Sequence, residues 1–183
     1  MKGIIFNQLE GMVTEVLGAE AWDTLLEQSD LVTKEGYFAG PKTYPDEDLF
    51  ALVATASKIT GKPPEELVSA FGRYLFPQLA KSYPVFIKPG MTAKTFLQSV
   101  DKVIHVEVRK LHTDTLLPTL EYEDPAPDRL VLVYKSPRKL CDLATGLIDG
   151  VGAHFHETIT QTQTRCMKRG DDACRIECVF AQA

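Results

Sequence analysis

Arg129-Leu-Val-Leu-Val-Tyr134-Lys-Ser-Pro-Arg138 is followed at once by Lys139, Leu140 and Cys141. The first half alternates like a strand, and a helical period opens at Lys139, so the stretch marks a strand handing over to a helix. Residues two apart on a strand share a face. Tyr134, Ser136 and Arg138 are therefore expected on one side, provided the strand geometry lasts that far. Two hydroxyls beside a planar guanidinium suit an anion with paired oxygens. The same spacing also describes the solvated face of an edge strand, and spacing alone leaves both open.

Downstream, residues 139–156 place Leu140, Leu143, Ala144, Leu147, Ile148 and Val151 on one helical face, and 158–165 with 174–180 read as a hairpin. Upstream, a short strand at 120–123 leads through a turn at 124–128 into the opening stretch. Before that the period is helical. Helices are expected at 3–17, stopped by Gly18, and at 20–27 around Trp22, Leu25 and Leu26, followed by a loop with aromatic anchors at 34–44. Asp46 is read as the N-cap of a third helix closing at Gly61, and Pro63-Pro64-Glu65-Glu66 opens a fourth that runs to Pro77. Gly72 in its middle costs about 1 kcal/mol relative to Ala, so a backbone approach is expected there, from a ligand or another helix. Thr92 caps one long helix through Leu111, which 113–118 breaks. Helices first and a mixed region later give an α+β class with a small antiparallel sheet.

The 183 residues fit one domain, with 44% hydrophobic and 25% charged residues as in ordinary globular proteins. A net charge of −5 argues against a broad nucleic-acid surface. No apolar run approaches the roughly 18 residues needed to cross a bilayer, and the start turns polar too soon for a signal peptide. A cytoplasmic protein with no membrane partner is expected. There, Cys141, Cys166, Cys174 and Cys178 are thiols or metal ligands rather than disulfides.

His105 lies among Val100, Val103, Ile104, Val106 and Val108. A histidine in such company is most often a core residue satisfied by a backbone group. Neutral imidazole on an apolar wall is also what haem iron and a porphyrin face require. His112, His154 and His156 fall near helix ends, where exposure is the simpler expectation. Haem asks for one nitrogen ligand, a large apolar surface and partners for two carboxylates. His105 and the Tyr134/Ser136/Arg138 set answer the first and last.

With those residues in hand, the chain resembles the bacterial H-NOX domains, the haem nitric oxide/oxygen binding family that includes the sensor domain of soluble guanylate cyclases. Tyr134-Lys-Ser-Pro-Arg138 matches the family's Tyr-x-Ser-x-Arg pattern and His105 its proximal histidine; Met1-Lys-Gly3, Gly61-Lys62 and Phe71-Gly72-Arg73 are also similar. The resemblance implies one H-NOX domain over 1–183, with a distal helical part near 1–60 and a proximal part from 61. It implies a buried haem b ligated by His105, with propionates on Tyr134, Ser136 and Arg138, and Pro118 and Ile5 distorting the porphyrin. The distal tyrosine of oxygen-binding members is replaced by Leu143, and its polar partners by Leu9 and Leu75. Bound oxygen gains from a hydrogen-bond donor and nitric oxide does not need one, so a sensor for nitric oxide, with carbon monoxide as a second candidate gas, is implied rather than an enzyme.

Some family members hold a structural zinc with three cysteines and a histidine. Cys141, Cys166 and Cys174 match the cysteines, whereas Gln163 stands where the histidine is expected, leaving Cys178, His154, His156 or water as fourth ligand. A chain of this length has no room for an output domain, so a separate sensor histidine kinase or a cyclic-di-GMP enzyme is the expected partner. A different reading makes the cysteine cluster a thiol/zinc redox sensor.

Overall fold

Two units, Met1–Phe71 and Gly72–Ala183, divide the chain in a computed structural model that describes residues 1–33 and 38–182. Part of the expected aromatic loop, residues 34–37, lies outside the described residues.

The first unit holds α1 (Gly3–Leu17), α2 (Ala19–Gln28), α3 (Asp46–Thr60) and the start of α4 (Pro64–Ser82). Gly18 ends α1 at φ +92°, a conformation that disfavours a side chain, and α2 starts in the next residue. Phe6, fully buried on α1, stacks on Phe38 with centroids 4.0 Å apart, and Tyr44 meets both rings edge-on. Buried Asp48 accepts from the Val32 amide at 2.6 Å and the Thr33 hydroxyl at 2.5 Å, tying the segment after α2 to the first turn of α3. Asp46 is not the N-cap. Pro45 takes that position, and the Asp46 carboxylate lies 2.7 Å from the Met1 amino group.

The second unit holds the rest of α4, then α5 (Ala93–Ser99), a π-helical segment (Val100–Ile104) and α6 (His105–Leu111). β1 (Thr119–Ala126), β2 (Arg129–Lys135), α7 (Cys141–Phe155), β3 (Glu157–Arg165) and β4 (Cys174–Gln182) follow. The strands form one antiparallel sheet in the order β1-β2-β4-β3. Leu130, Leu132, Ile176, Cys178 and Phe180 on its buried face pack with Ile148 and Val151 of α7, Phe76 of α4, and Phe96 and Leu97 of α5. This is the α+β architecture read from the alternation of periods.

Three boundaries differ from expectation, each where tertiary contacts override a local signal. α4 runs through Pro77 to Ser82. Proline removes the N–H that would reach the Arg73 carbonyl, but Leu75 and Phe76 just before it are buried, and their burial outweighs the lost bond. The turn before β2 is tighter than expected. β1 continues past Asp124 because its register shifts between Glu123 and Ala126, an irregularity of bulge type that absorbs the extra residues. The single helix expected from Thr92 is three pieces, with five π-helical residues immediately before His105.

Gly72 has a clear structural reason. A Cβ there would lie 2.5 Å from the Leu143 carbonyl oxygen and 2.8 Å from the Leu147 amide nitrogen, so α4 and α7 cross backbone to backbone. Gly150, one turn further along α7, would put a Cβ 2.6 Å from that of Phe76. The approach expected at Gly72 is thus made by a helix, and the Arg73–Asp149 ion pair at 2.7 Å flanks it.

Candidate functional site

Thr92 starts the helical run that carries His105: its hydroxyl accepts from the Thr95 amide, and the Thr95 hydroxyl accepts from the Thr92 amide at 2.9 Å. The π-helical turn then re-registers the chain, a feature that recurs at functional sites. His105 Nδ1 lies 3.2 Å from Asp101 Oδ1, and only 12% of the His105 side chain is exposed. Burial lowers its pKa below the ordinary value; Asp101 works against that shift and Arg109 adds to it. The ring is therefore neutral near pH 7. With Nδ1–H donated to the carboxylate, Nε2 presents the lone pair, the arrangement in which a histidine ligates a metal with an outer carboxylate fixing its tautomer.

The opening stretch reaches its geometry by a different route from strand alternation. β2 ends at Lys135, and residues 136–139 form a turn in which the Lys139 amide donates to the Ser136 carbonyl at 3.1 Å. Ser136, 3% exposed, accepts from the Arg138 amide at 3.3 Å, and the Tyr134 hydroxyl is hydrogen-bonded to Ser136 and the Leu140 backbone. Burial raises the Tyr134 pKa, keeping the phenol a neutral donor. The Arg138 guanidinium donates to the Leu116 carbonyl, two residues before half-buried Pro118. Tyr134, Ser136 and Arg138 are thus brought together by a turn, and through Leu116 they are tied to the segment that leaves α6.

Leu75 and Leu143 stand on the crossing helices α4 and α7, Leu75 fully buried and Leu143 half-buried. Ile5 and Leu9 belong to α1 in the first unit, half-buried and buried respectively.

The sulfurs of Cys141, Cys166 and Cys174 lie within 4.8 Å of one another, and all three residues are buried. They come from the first turn of α7, the turn after β3 and the first residue of β4. The Met167 amide donates to Cys174 Sγ at 3.2 Å. Burial pushes the Cys141 thiol up to about 12 and raises Cys174. Burial works the same way on Cys166, but the backbone amides of Lys168 and Arg169 and its thiol neighbours hold it below the ordinary value. Cys178 does not join them. It faces Leu130 in the main core, four strand residues or roughly 13 Å beyond Cys174, and burial pushes its thiol up to about 12. His154 is edge-on to Phe76 and Phe155, and His156 is exposed at the end of α7. Sequence reasoning missed Asp101 and the π-helical turn; the Asp101/His105 spacing of four was the available signal for the pair.

Against known proteins, the model of the haem-NO-binding family matches residues 2–163. The chain belongs to the haem-NO-binding, or H-NOX, family. An H-NOX protein from Shewanella oneidensis, solved in its Fe(II)NO state, is 32% identical with both chains fully covered and superposes with a TM-score of 0.92. An H-NOX from K. algicida, solved as Fe(II) unliganded, is 27% identical over 100% of this chain and 98% of its own, with a TM-score of 0.90. One from Shewanella woodyi, solved in the Fe(II)CO state, is 30% identical over 100% and 95%, with a TM-score of 0.84. The H-NOX fold is that of a haem-binding gas sensor. Among the described residues no helix is long and apolar enough to cross a membrane.

Proposed function

We propose that this H-NOX chain is a cytoplasmic nitric oxide sensor that binds haem b through His105 and signals to a separate protein, a sensor histidine kinase before a cyclic-di-GMP enzyme. The observation that carries the reading is the half-buried, neutral His105 with Nδ1 on Asp101 and Nε2 left to ligate. Haem held by His105 would supply a ferrous iron able to bind nitric oxide.

The chain's own residues do the rest. Tyr134 and Ser136 hydroxyls and the Arg138 guanidinium offer directional donors to two carboxylates. Pro118 in the second unit and Ile5 in the first would each bear on the porphyrin of a bound haem. Leu75 and Leu143 in the second unit, and Leu9 in the first, would offer a bound gas apolar side chains and no donor, which disfavours oxygen, whose bound form carries partial negative charge. His105 would couple ligation of that iron to α6 and the π-helical turn before it, and a partner would read a change in their register.

Cys141, Cys166 and Cys174 fit a structural zinc: three buried sulfurs with backbone N–H donors on two of them make a thiolate set. An ion there would fasten α7, the turn after β3 and β4 together. The same cluster supports a second reading, a thiol/zinc redox sensor. A Cys166→Ala protein that keeps haem and its response to nitric oxide removes that reading.

The deciding experiment is an absorption spectrum of the reduced, haem-loaded protein under argon, in air and with nitric oxide. The expected result is indifference to air and a Soret shift with nitric oxide that reports loss of the imidazole. A stable change in air, or no response to nitric oxide, overturns the reading.

A further inference from the structure

Zinc takes four ligands, and sites that close all four with protein atoms behave differently from those that leave one open. The cluster here offers three sulfurs. Among the described residues, no candidate side chain for the fourth place lies with them. Cys178 lies in the other core, roughly 13 Å along β4 from Cys174. His154 is thirteen residues from Cys141 on α7, about 20 Å along the helix, with its ring against Phe76 and Phe155. The Asp142 carboxylate is paired with Lys168, and Asp171 Oδ2 accepts from the Cys166 amide at 2.8 Å. Among the described residues no other histidine, cysteine or carboxylate atom lies with the three sulfurs.

What faces the Cys141 sulfur is the side-chain amide of Gln163. It reaches there from β3, whose half-buried face turns toward α7: Gln161, two residues earlier, donates to the Thr145 carbonyl at 3.0 Å and to Asp149 at 2.6 Å. Gln163 Nε2 is buried and has no hydrogen-bond partner at ordinary geometry. A buried amide nitrogen left unpartnered costs free energy unless something accepts from it. An N–H cannot ligate a metal. It can donate to a thiolate, or to a small acceptor sitting on the metal beside that thiolate.

We propose that Cys141, Cys166 and Cys174 form a three-thiolate site for a zinc-class ion whose fourth corner takes an exchangeable small Lewis base, with the Gln163 amide as the donor beside that corner. Water fills the corner at rest, and a nitrogen base or small anion replaces it. This rests on the metal reading above. A water ligand with a lone pair turned toward Gln163 satisfies the orphan N–H and completes the tetrahedron together.

Cobalt(II) is the probe, because its thiolate charge-transfer bands count sulfurs and its visible bands report the fourth ligand. The haem-free protein loaded with cobalt is expected to show three-sulfur charge-transfer intensity, and imidazole is expected to shift its visible bands saturably. Gln163→His supplies a nitrogen of its own. That variant is expected to ignore imidazole and to hold zinc against a chelator at least tenfold more tightly, while Cys178→Ala keeps the parent spectrum. A parent spectrum indifferent to imidazole, or sulfur intensity that drops in Cys178→Ala, overturns the open corner and leaves the metal site standing. Absence of thiolate bands in the parent overturns the metal reading, and the inference with it.

Discussion

Tyr134 and Cys174 are partners across β2 and β4, and their side chains share one buried cluster with Cys141 and Cys166. Tyr134 thus packs in the same buried cluster as the three cysteines.

Removing one of those sulfurs is therefore expected to loosen Tyr134. Cys174→Ala should lower stability by about 1 kcal/mol and speed loss of haem, measured as its transfer to a haem-scavenging protein. Cys178→Ala is the control, since that sulfur sits in the other core. Equal haem-loss rates in the two variants would show that Tyr134 does not depend on the cluster.

The α4/α7 crossing makes a second expectation. Gly72→Ala drives a methyl into the Leu143 carbonyl, a backbone atom that cannot rotate aside. Overpacking of this kind costs about 1–3 kcal/mol. The midpoint of urea unfolding should fall accordingly, and an unchanged midpoint would mean that the two helices separate freely.

Most elements were legible because period and punctuation agreed: α1 between Lys2 and Gly18, the β2 alternation, the glycine at the α4/α7 crossing. The Tyr134/Ser136/Arg138 set was found by assuming strand geometry, yet Pro137 and the turn after Lys135 assemble it. The residues still come together because a hydroxyl and an amide two apart also meet in a turn. Pro77 and the π-helical turn at Val100–Ile104 were not legible. A proline held by buried neighbours and a helix of altered register leave no mark in spacing, since both are decided by what packs against them. Cys174 and Cys178 lie on one strand face, so sequence could not sort them; the separation along β4 does.

His105 gives the chain a pH dependence of definite sign. Its folded pKa lies below the ordinary 6.5, first because burial penalises the charged ring, with Asp101 opposing and Arg109 reinforcing. The unfolded chain then takes up the proton at higher pH than the folded one. This contribution to stability is fully present above pH 6.5 and is lost as pH falls from there through the folded value. Thermal midpoints of the haem-free protein between pH 7.5 and about 5 should decline, and His105→Gln should decline less. Parallel curves would assign the loss to other groups.

Leu143 tests the discrimination against oxygen. It sits half-buried on α7, and its backbone carbonyl rather than its side chain meets Gly72 of α4. Leu143→Tyr adds one hydroxyl donor at a position proposed to face the bound gas. A hydrogen bond to a partially charged acceptor is worth about 1.5–3 kcal/mol, roughly a tenfold to hundredfold gain in affinity. Nitric oxide, which needs no donor, should gain far less. The reduced, haem-loaded variant is expected to change its absorption spectrum in air where the parent does not, while both respond to nitric oxide. A variant as indifferent to air as the parent would show that position 143 does not face the bound gas, and the apolar ligand side would then need other residues to account for it.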